Sequence, residues 1–237
     1  MFEGTHIPLY DWFYAIIQFL THTKGISSVQ LSKDLGITQK TAWSILHKIR
    51  CNLMDDVSKL RDAFSGIVQM DETYIGGKPE GKIWQNRGRS RKQKTPVFGL
   101  LTRDRVFALT VPDVSANTLH TVINWVVKRH STVVTDGFVS YNGLSKNYRH
   151  EIVEHNNGSY KNKRGFHTNG IEGFWGQLKR GLKSTYHSVG RKYLDRYCSE
   201  FSFRYNNRHL SALQVFLNFL SGNNFHVSRN LLLGDTT

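Results

Sequence analysis

Cysteine is nearly missing from this chain of 237 residues. There are two, Cys51 and Cys198, and neither sits in a CxxC pair. That excludes a zinc ribbon in this chain and fits a reduced compartment, with both cysteines read as helix core positions. Long apolar runs are missing too. The segment Trp12–Leu20 is too short to span a bilayer and contains Gln18, and Met1-Phe2-Glu3 lacks the cationic start of a secretory signal. The expectation is a soluble, cytoplasmic protein. Internal repeats and long low-complexity tracts are absent, and 14 Phe, 10 Tyr and 5 Trp provide anchors for a core, so a folded protein is the expectation. Acidic residues are scarce: 18 Asp and Glu face 32 Lys and Arg, a formal charge of +14 with a pI near 9.9. Such an excess attracts polyanions, nucleic acid first among them. It is uneven. Residues 1–64 are nearly neutral, and residues 65–237 carry 25 cations against 12 acids, so most of the phosphate-binding surface is expected there.

The first part reads as helical. Residues 8–22 form a buried helix, and Gly25-Ile26-Ser27-Ser28 breaks it, with Ser27 or Ser28 as the next N-cap. Over 28–50, a short helix carrying Leu31 and Leu35 meets a turn at Gly36-Ile37. Thr38 then caps a second helix with Ala42, Ile45, Leu46 and Ile49 on one stripe. This is the pattern of a helix-turn-helix. Gln39, Lys40, Ser44, His47 and Lys48 are expected on its exposed face, where such side chains reach base edges and phosphates of DNA. Two ordinary packed helices would produce the same pattern.

From Ser65 the pattern changes. Strands are predicted over 66–71, 96–101, 106–111, 131–136 and 148–153, with helices over 117–130, 168–183 and 191–209. The order of three strands, helix, strand, strand, helix is that of an RNase-H-like fold. The predicted class is therefore α/β: an RNase-H-like mixed sheet flanked by helices over 65–220, preceded by a small all-α helix-turn-helix domain over 1–64 and followed by a tail over 221–237. Between the first two strands, residues 78–94 hold seven Lys/Arg and one Glu. This basic loop, through Arg87, Arg89, Arg91 and Lys92, is expected to touch phosphate, although a solvated loop without a task has the same composition.

Three acids stand out. Asp71 and Asp136 each close a predicted strand, and in an RNase-H-like sheet the first and fourth strands are neighbours, which brings both carboxylates to one edge. A strand-ending Asp alone often just caps a turn. As a pair, two such acids repel unless a cation lies between them. Transfer of an anionic phosphodiester is commonly served by two Mg²⁺ or Mn²⁺ ions, which favour carboxylate oxygens. Glu172 is the third. It is the one acid among eight cations over 161–192, near the start of a helix whose buried stripe is Ile171, Phe174, Trp175, Leu178 and Leu182. A salt bridge to Lys179 or Arg180 is its plainer reading. Lys179, two turns further on, would hold a phosphate beside the metals, with Lys183 as another DNA contact. His167 and Asn169 are near enough to Glu172 to substitute for it. Glu72 should point to the opposite face of an extended chain.

At these residues the chain resembles the bacterial insertion-sequence transposases of the ISXO-like DDE group. The matching pieces are WFYAI and GITQKTAWSILHKIR, then MDETYIGGK, VVTDGFVSYNGL, HTNGIEGFWGQLKRGL and RYCSEFSFRYNNR, in that order over most of 8–210. Many of these relatives carry an N-terminal zinc ribbon, which the residues before the helical segment here lack. The resemblance implies Asp71, Asp136 and Glu172 as the catalytic, metal-binding triad, with Lys179 following, and Mg²⁺ or Mn²⁺ as cofactor. It also implies terminal repeats and target DNA as partners, and at least a homodimer. Two other readings share these features: an RNase-H-like nuclease that cuts without joining, and a helix-turn-helix regulator with a decayed catalytic domain.

Overall fold

The computed structural model describes residues 2, 4–53, 60–76, 94–154 and 161–221. Arg87, Arg89, Arg91 and Lys92, and the expected tail from residue 222 onward, lie outside the described residues.

Three helices come first: α1 (Leu9–Thr21), α2 (Ser28–Leu35) and α3 (Gln39–Asn52). Their ends follow from local chemistry. The Ser27 side chain accepts from the Gln30 amide, Gly36 closes α2 in the left-handed region, and the Thr38 side chain accepts from the Thr41 amide to start α3. The buried stripe of α3 includes Ala42, Ile45, Leu46 and Ile49 as expected. Cys51 departs from the expectation and is exposed. It follows Ile49 by two residues, which turns it away from that stripe.

The sheet contains β1 (Ile67–Ile75), β2 (Thr95–Leu101), β3 (Val106–Thr110), β4 (Thr132–Thr135) and β5 (Arg149–Ile152), ordered β3-β2-β1-β4-β5. The β1–β2 and β2–β3 pairs are antiparallel, whereas β4 runs parallel to both β1 and β5. A mixed five-stranded sheet in this order, flanked by helices, is the RNase-H-like arrangement expected from the element order.

Helix α4 (Ala116–Val126) covers one face of the sheet; α5 (Asn169–Ser184) and α6 (Arg191–Asn206) cover the other. The first layer packs Val68, Met70, Phe98 and Val133 against Leu119, Val122 and Ile123. The second packs Val97, Leu101 and Ala108 against Ile171, Trp175, Leu178 and Phe201. Helix α4 stops short of the predicted 130 because Val127 turns extended and forms a β-bridge with Phe64. Helix α7 (Ala212–Leu220), started by a Ser211–Gln214 capping box, was not expected.

A third core joins the N-terminal helices to the end of the chain. Trp12, Ile16, Phe19, Leu31, Ile45 and Ile49 pack with Phe203 of α6 and Phe219 of α7. Polar groups seal this junction. Fully buried Glu200 accepts from Arg50 Nε at 2.7 Å, from Arg204 Nη2 at 2.7 Å and from the Tyr186 hydroxyl at 2.6 Å. Burial alone would raise the Glu200 carboxyl, but Arg50 and Arg204 hold it below its usual range. No described helix is long and apolar enough to cross a membrane.

Candidate active site

Strand β1 sends Val68 and Met70 into the core under α4 and turns Gln69 and Asp71 to the face beneath α5. Asp71 does not end its strand, as its pattern suggested. β1 continues to Ile75 because β2 pairs with it as far as Ile75↔Thr95. On its other side, the pairing with β4 runs only from Ile67↔Thr132 to Gln69↔Val134. Continuing that register by two residues sets Asp71 level with Asp136, just past the end of β4. The two aspartates thus come together where β1 runs past its β4 neighbour while still paired to β2.

The electrostatics agree. Burial pushes the Asp71 carboxyl up to about 7, with Glu72 and Asp136 adding to the rise and a hydrogen bond from Trp175 opposing it. Trp175 Nε1 donates to Asp71 Oδ2 at 2.9 Å. Asp136 Oδ1 accepts from the Phe138 amide at 3.0 Å, which orients the carboxylate from its own turn. Thr135 braces the same turn by donating to the Asp136 carbonyl at 2.7 Å. Glu72 faces away from Asp71, as expected, and accepts from the buried Tyr141 hydroxyl at 2.7 Å.

Glu172 lies in the first turn of α5, exposed, with Thr168 Oγ1 donating to its Oε1 at 2.9 Å. The helix is anchored over β1 at two points, Asp71 through Trp175 and Gln69, whose Oε1 accepts from the Ile171 amide at 3.0 Å. Glu172 follows the second anchor by one residue and precedes the first by three. Among the described residues, however, no three His, Cys, Asp or Glu side chains stand close enough to enclose a metal ion. Asp71 and Asp136 are therefore brought together as a pair, and Glu172 stands on the helix above without joining a three-carboxylate cluster. The hard, anionic oxygens of the pair suit a divalent cation, which would offset both the burial and the acid–acid repulsion that raise Asp71.

Lys179 and Lys183 are exposed on α5, and Asn169 is its exposed first residue. His167 is half-buried and lines a cavity of about 820 Å³ beside the start of β1, together with Arg103, Arg105 and Arg164. Gln39, Lys40, Ser44 and Lys48 are exposed on α3 as expected. His47 is not. It is buried, stacked on Trp43 and packed between Tyr193 and Tyr197 of α6, and it is removed from the expected exposed face because α6 covers that side of α3. Burial first, and then the neighbouring Arg50 and Arg196, lower its pKa to about 4. The side chains that hold the candidate site together without having been anticipated in that role are Trp175 and Gln69. Each left a signal: a polar residue two before Asp71 on the same strand face, and a Trp one turn after Glu172.

Among known proteins, an uncharacterized transposase-like protein of Haemophilus influenzae is 30% identical over 109 residues, 46% of this chain and 86% of the relative. An uncharacterized protein in transposable element ISH50 of Halobacterium salinarum is 25% identical over 219 residues, covering 86% of this chain and 72% of the relative. A crystal structure of a pre-cleavage Mos1 transpososome is similar at 14% identity and a TM-score of 0.31, over 95% of this chain and 82% of that one. Residues 63–206 match the ISXO2-like transposase domain, and since that span is more than half of the chain and contains all three acids, the chain belongs to this transposase family.

Proposed function

We propose that this transposase carries out metal-dependent DNA cleavage and strand transfer of an insertion sequence, with Asp71 and Asp136 as its principal metal-binding carboxylates and Glu172 as the third catalytic acid. The observation that carries the reading is the pairing of Asp71 and Asp136 at the point where β1 outruns β4. Divalent cations bound there, Mg²⁺ or Mn²⁺ and two per site, would supply an activated attacking oxygen and charge stabilisation for the leaving one.

The protein's own groups supply the rest. The Phe138 amide and the Trp175 indole hold the two aspartates in fixed orientations, so little reorganisation is needed when DNA arrives. Lys179 and Lys183 face solvent on α5, where they would grip phosphates flanking the scissile bond. The exposed residues of α3, Gln39, Lys40, Ser44 and Lys48, would read the terminal repeat as the second helix of a helix-turn-helix. The basic segment with Arg87, Arg89, Arg91 and Lys92 would add phosphate contacts. Joining two transposon ends to one target calls for at least a dimer.

The test is a strand-transfer assay with labelled transposon-end DNA, target plasmid and Mn²⁺, comparing wild type with Asp136→Asn. Joined product that falls by roughly three orders of magnitude in the variant is expected. Cleavage without joining in the wild type would indicate a nuclease, and binding without either would indicate a regulator.

A further inference from the structure

We infer that Trp175 is a positioning residue for the catalytic site, through an indole N–H that fixes the Asp71 carboxylate and locks the helix bearing Glu172 onto the strand bearing Asp71. The inference rests on the assignment of Asp71 and Glu172 as catalytic acids.

The indole is nearly buried, at 4% exposed. Its Nε1 sits 2.9 Å from Asp71 Oδ2. A Trp N–H is a donor only, so the contact selects the ionised or acceptor-facing carboxylate and consumes one of its oxygens. The Glu72 backbone adds a second hydrogen bond to the same carboxylate, and carboxylate oxygens carry enough lone pairs to accept a cation as well. The arrangement has been given room. The residue paired with Asp71 on β2 is Gly99, and a Cβ there would lie 2.5 Å from the far edge of the Trp175 ring. The edge of the ring therefore occupies the space that a side chain at Gly99 would take, beside the aspartate it holds. A second clearance repeats the pattern one turn earlier on α5. A Cβ at Gly170 would lie 2.7 Å from Gln69 Oε1, the atom that accepts from Ile171. Two glycines thus let α5 approach β1 and β2 closely at both anchors, with Glu172 between them in sequence.

A buried indole N–H finds an acceptor in most cores; what is particular here is that the acceptor is Asp71 and that the residue paired with Asp71 is a glycine. Phe174 is the comparison. It is buried in the same layer, stacks edge-on with Tyr205, and contributes no hydrogen bond. Trp175 differs in directing its only polar atom at Asp71. Groups of this kind, which orient a metal-binding carboxylate from behind, typically change metal affinity or activity 10–100-fold when removed, roughly.

Trp175→Phe keeps an aromatic ring over Gly99 and deletes the donor. In the strand-transfer assay its cleavage rate should fall roughly 10–100-fold, and the Mn²⁺ concentration for half-maximal rate should rise, with DNA-end affinity unchanged. In the unaltered full chain, the Trp175 indole resonance in a ¹H–¹⁵N correlation spectrum should shift on adding Mg²⁺, and that shift should vanish in Asp136→Asn. This second readout needs no variant at Trp175 and so holds if Trp175→Phe fails to fold. A Trp175→Phe enzyme with wild-type rate and metal dependence would overturn the inference, as would an indole resonance blind to Mg²⁺. An Asp71→Asn enzyme that still cleaves would overturn the catalytic assignment itself; an inactive Asp71→Asn beside a fully active Trp175→Phe would overturn the role of Trp175 alone.

Discussion

Asp71 occupies a position that the fold itself makes uncomfortable. Its carboxyl is pushed up to about 7 by burial first, with the nearby charges of Glu72, on the opposite strand face, and of Asp136 adding to the rise. An acid whose folded pKa exceeds its unfolded one binds more protons folded than unfolded in the interval between them. Stability is therefore greatest below the ordinary carboxylate value near 4 and falls as pH rises through that window to about 7. Without metal, Asp71→Asn should consequently unfold at a higher temperature than wild type at pH 8, by a few degrees, and show no such advantage at pH 4. Thermal melts in EDTA at the two pH values check this. Such stored repulsion is common where a charged ligand is awaited. The identity of the two aspartates was legible because each ends an apolar run at a spacing that suits neighbouring strands. The reach of β1 past Asp71 was not, because strand length there depends on β2, whose pairing residues lie across a long intervening segment. Glu172 was legible by its isolation among cations, but not its separation from the aspartates, which depends on how α5 seats on the sheet.

Among the elements, α3 shows where helical periodicity succeeds and where it stops. The stripe of Ala42, Ile45, Leu46 and Ile49 was plain, and so were the caps at Thr38 and Gly36. What periodicity along one helix does not reveal is a second covered face. Helix α6 packs on α3 and buries His47, which was expected on the exposed face, together with Arg50. Arg50 is tolerable there only because Glu200 meets it, with Tyr197 and Tyr186 rings stacked 4.2 and 4.9 Å from its guanidinium. Removing one member of a buried pair leaves the other charge uncompensated and typically costs about 3–5 kcal/mol. Glu200→Gln should therefore lower the free energy of unfolding in urea by about that amount, far more than the same change at an exposed carboxylate.

At the scale of the whole molecule, the N-terminal helices and the sheet are tied by chain ends that lie far apart in sequence. Phe203 and Phe219 enter the core of α1–α3, and Arg204 donates to the Phe19 carbonyl at 2.6 Å, so the helices that would read DNA rest on the same α6 that packs against β3 and α5. The helical character of α1–α3 was legible, but their fusion to α6 and α7 was not, because those contacts span some 150 residues of sequence. The account of this molecule as a metal-dependent DNA strand-transfer enzyme turns on the site between β1 and β4. Its most direct test is diffraction at the manganese absorption edge from crystals of the full chain with transposon-end DNA and Mn²⁺. An anomalous peak flanked by the Asp71 and Asp136 carboxylates, absent in Asp136→Asn, is the predicted result. Manganese bound elsewhere, in protein that still cleaves and joins DNA, would contradict it.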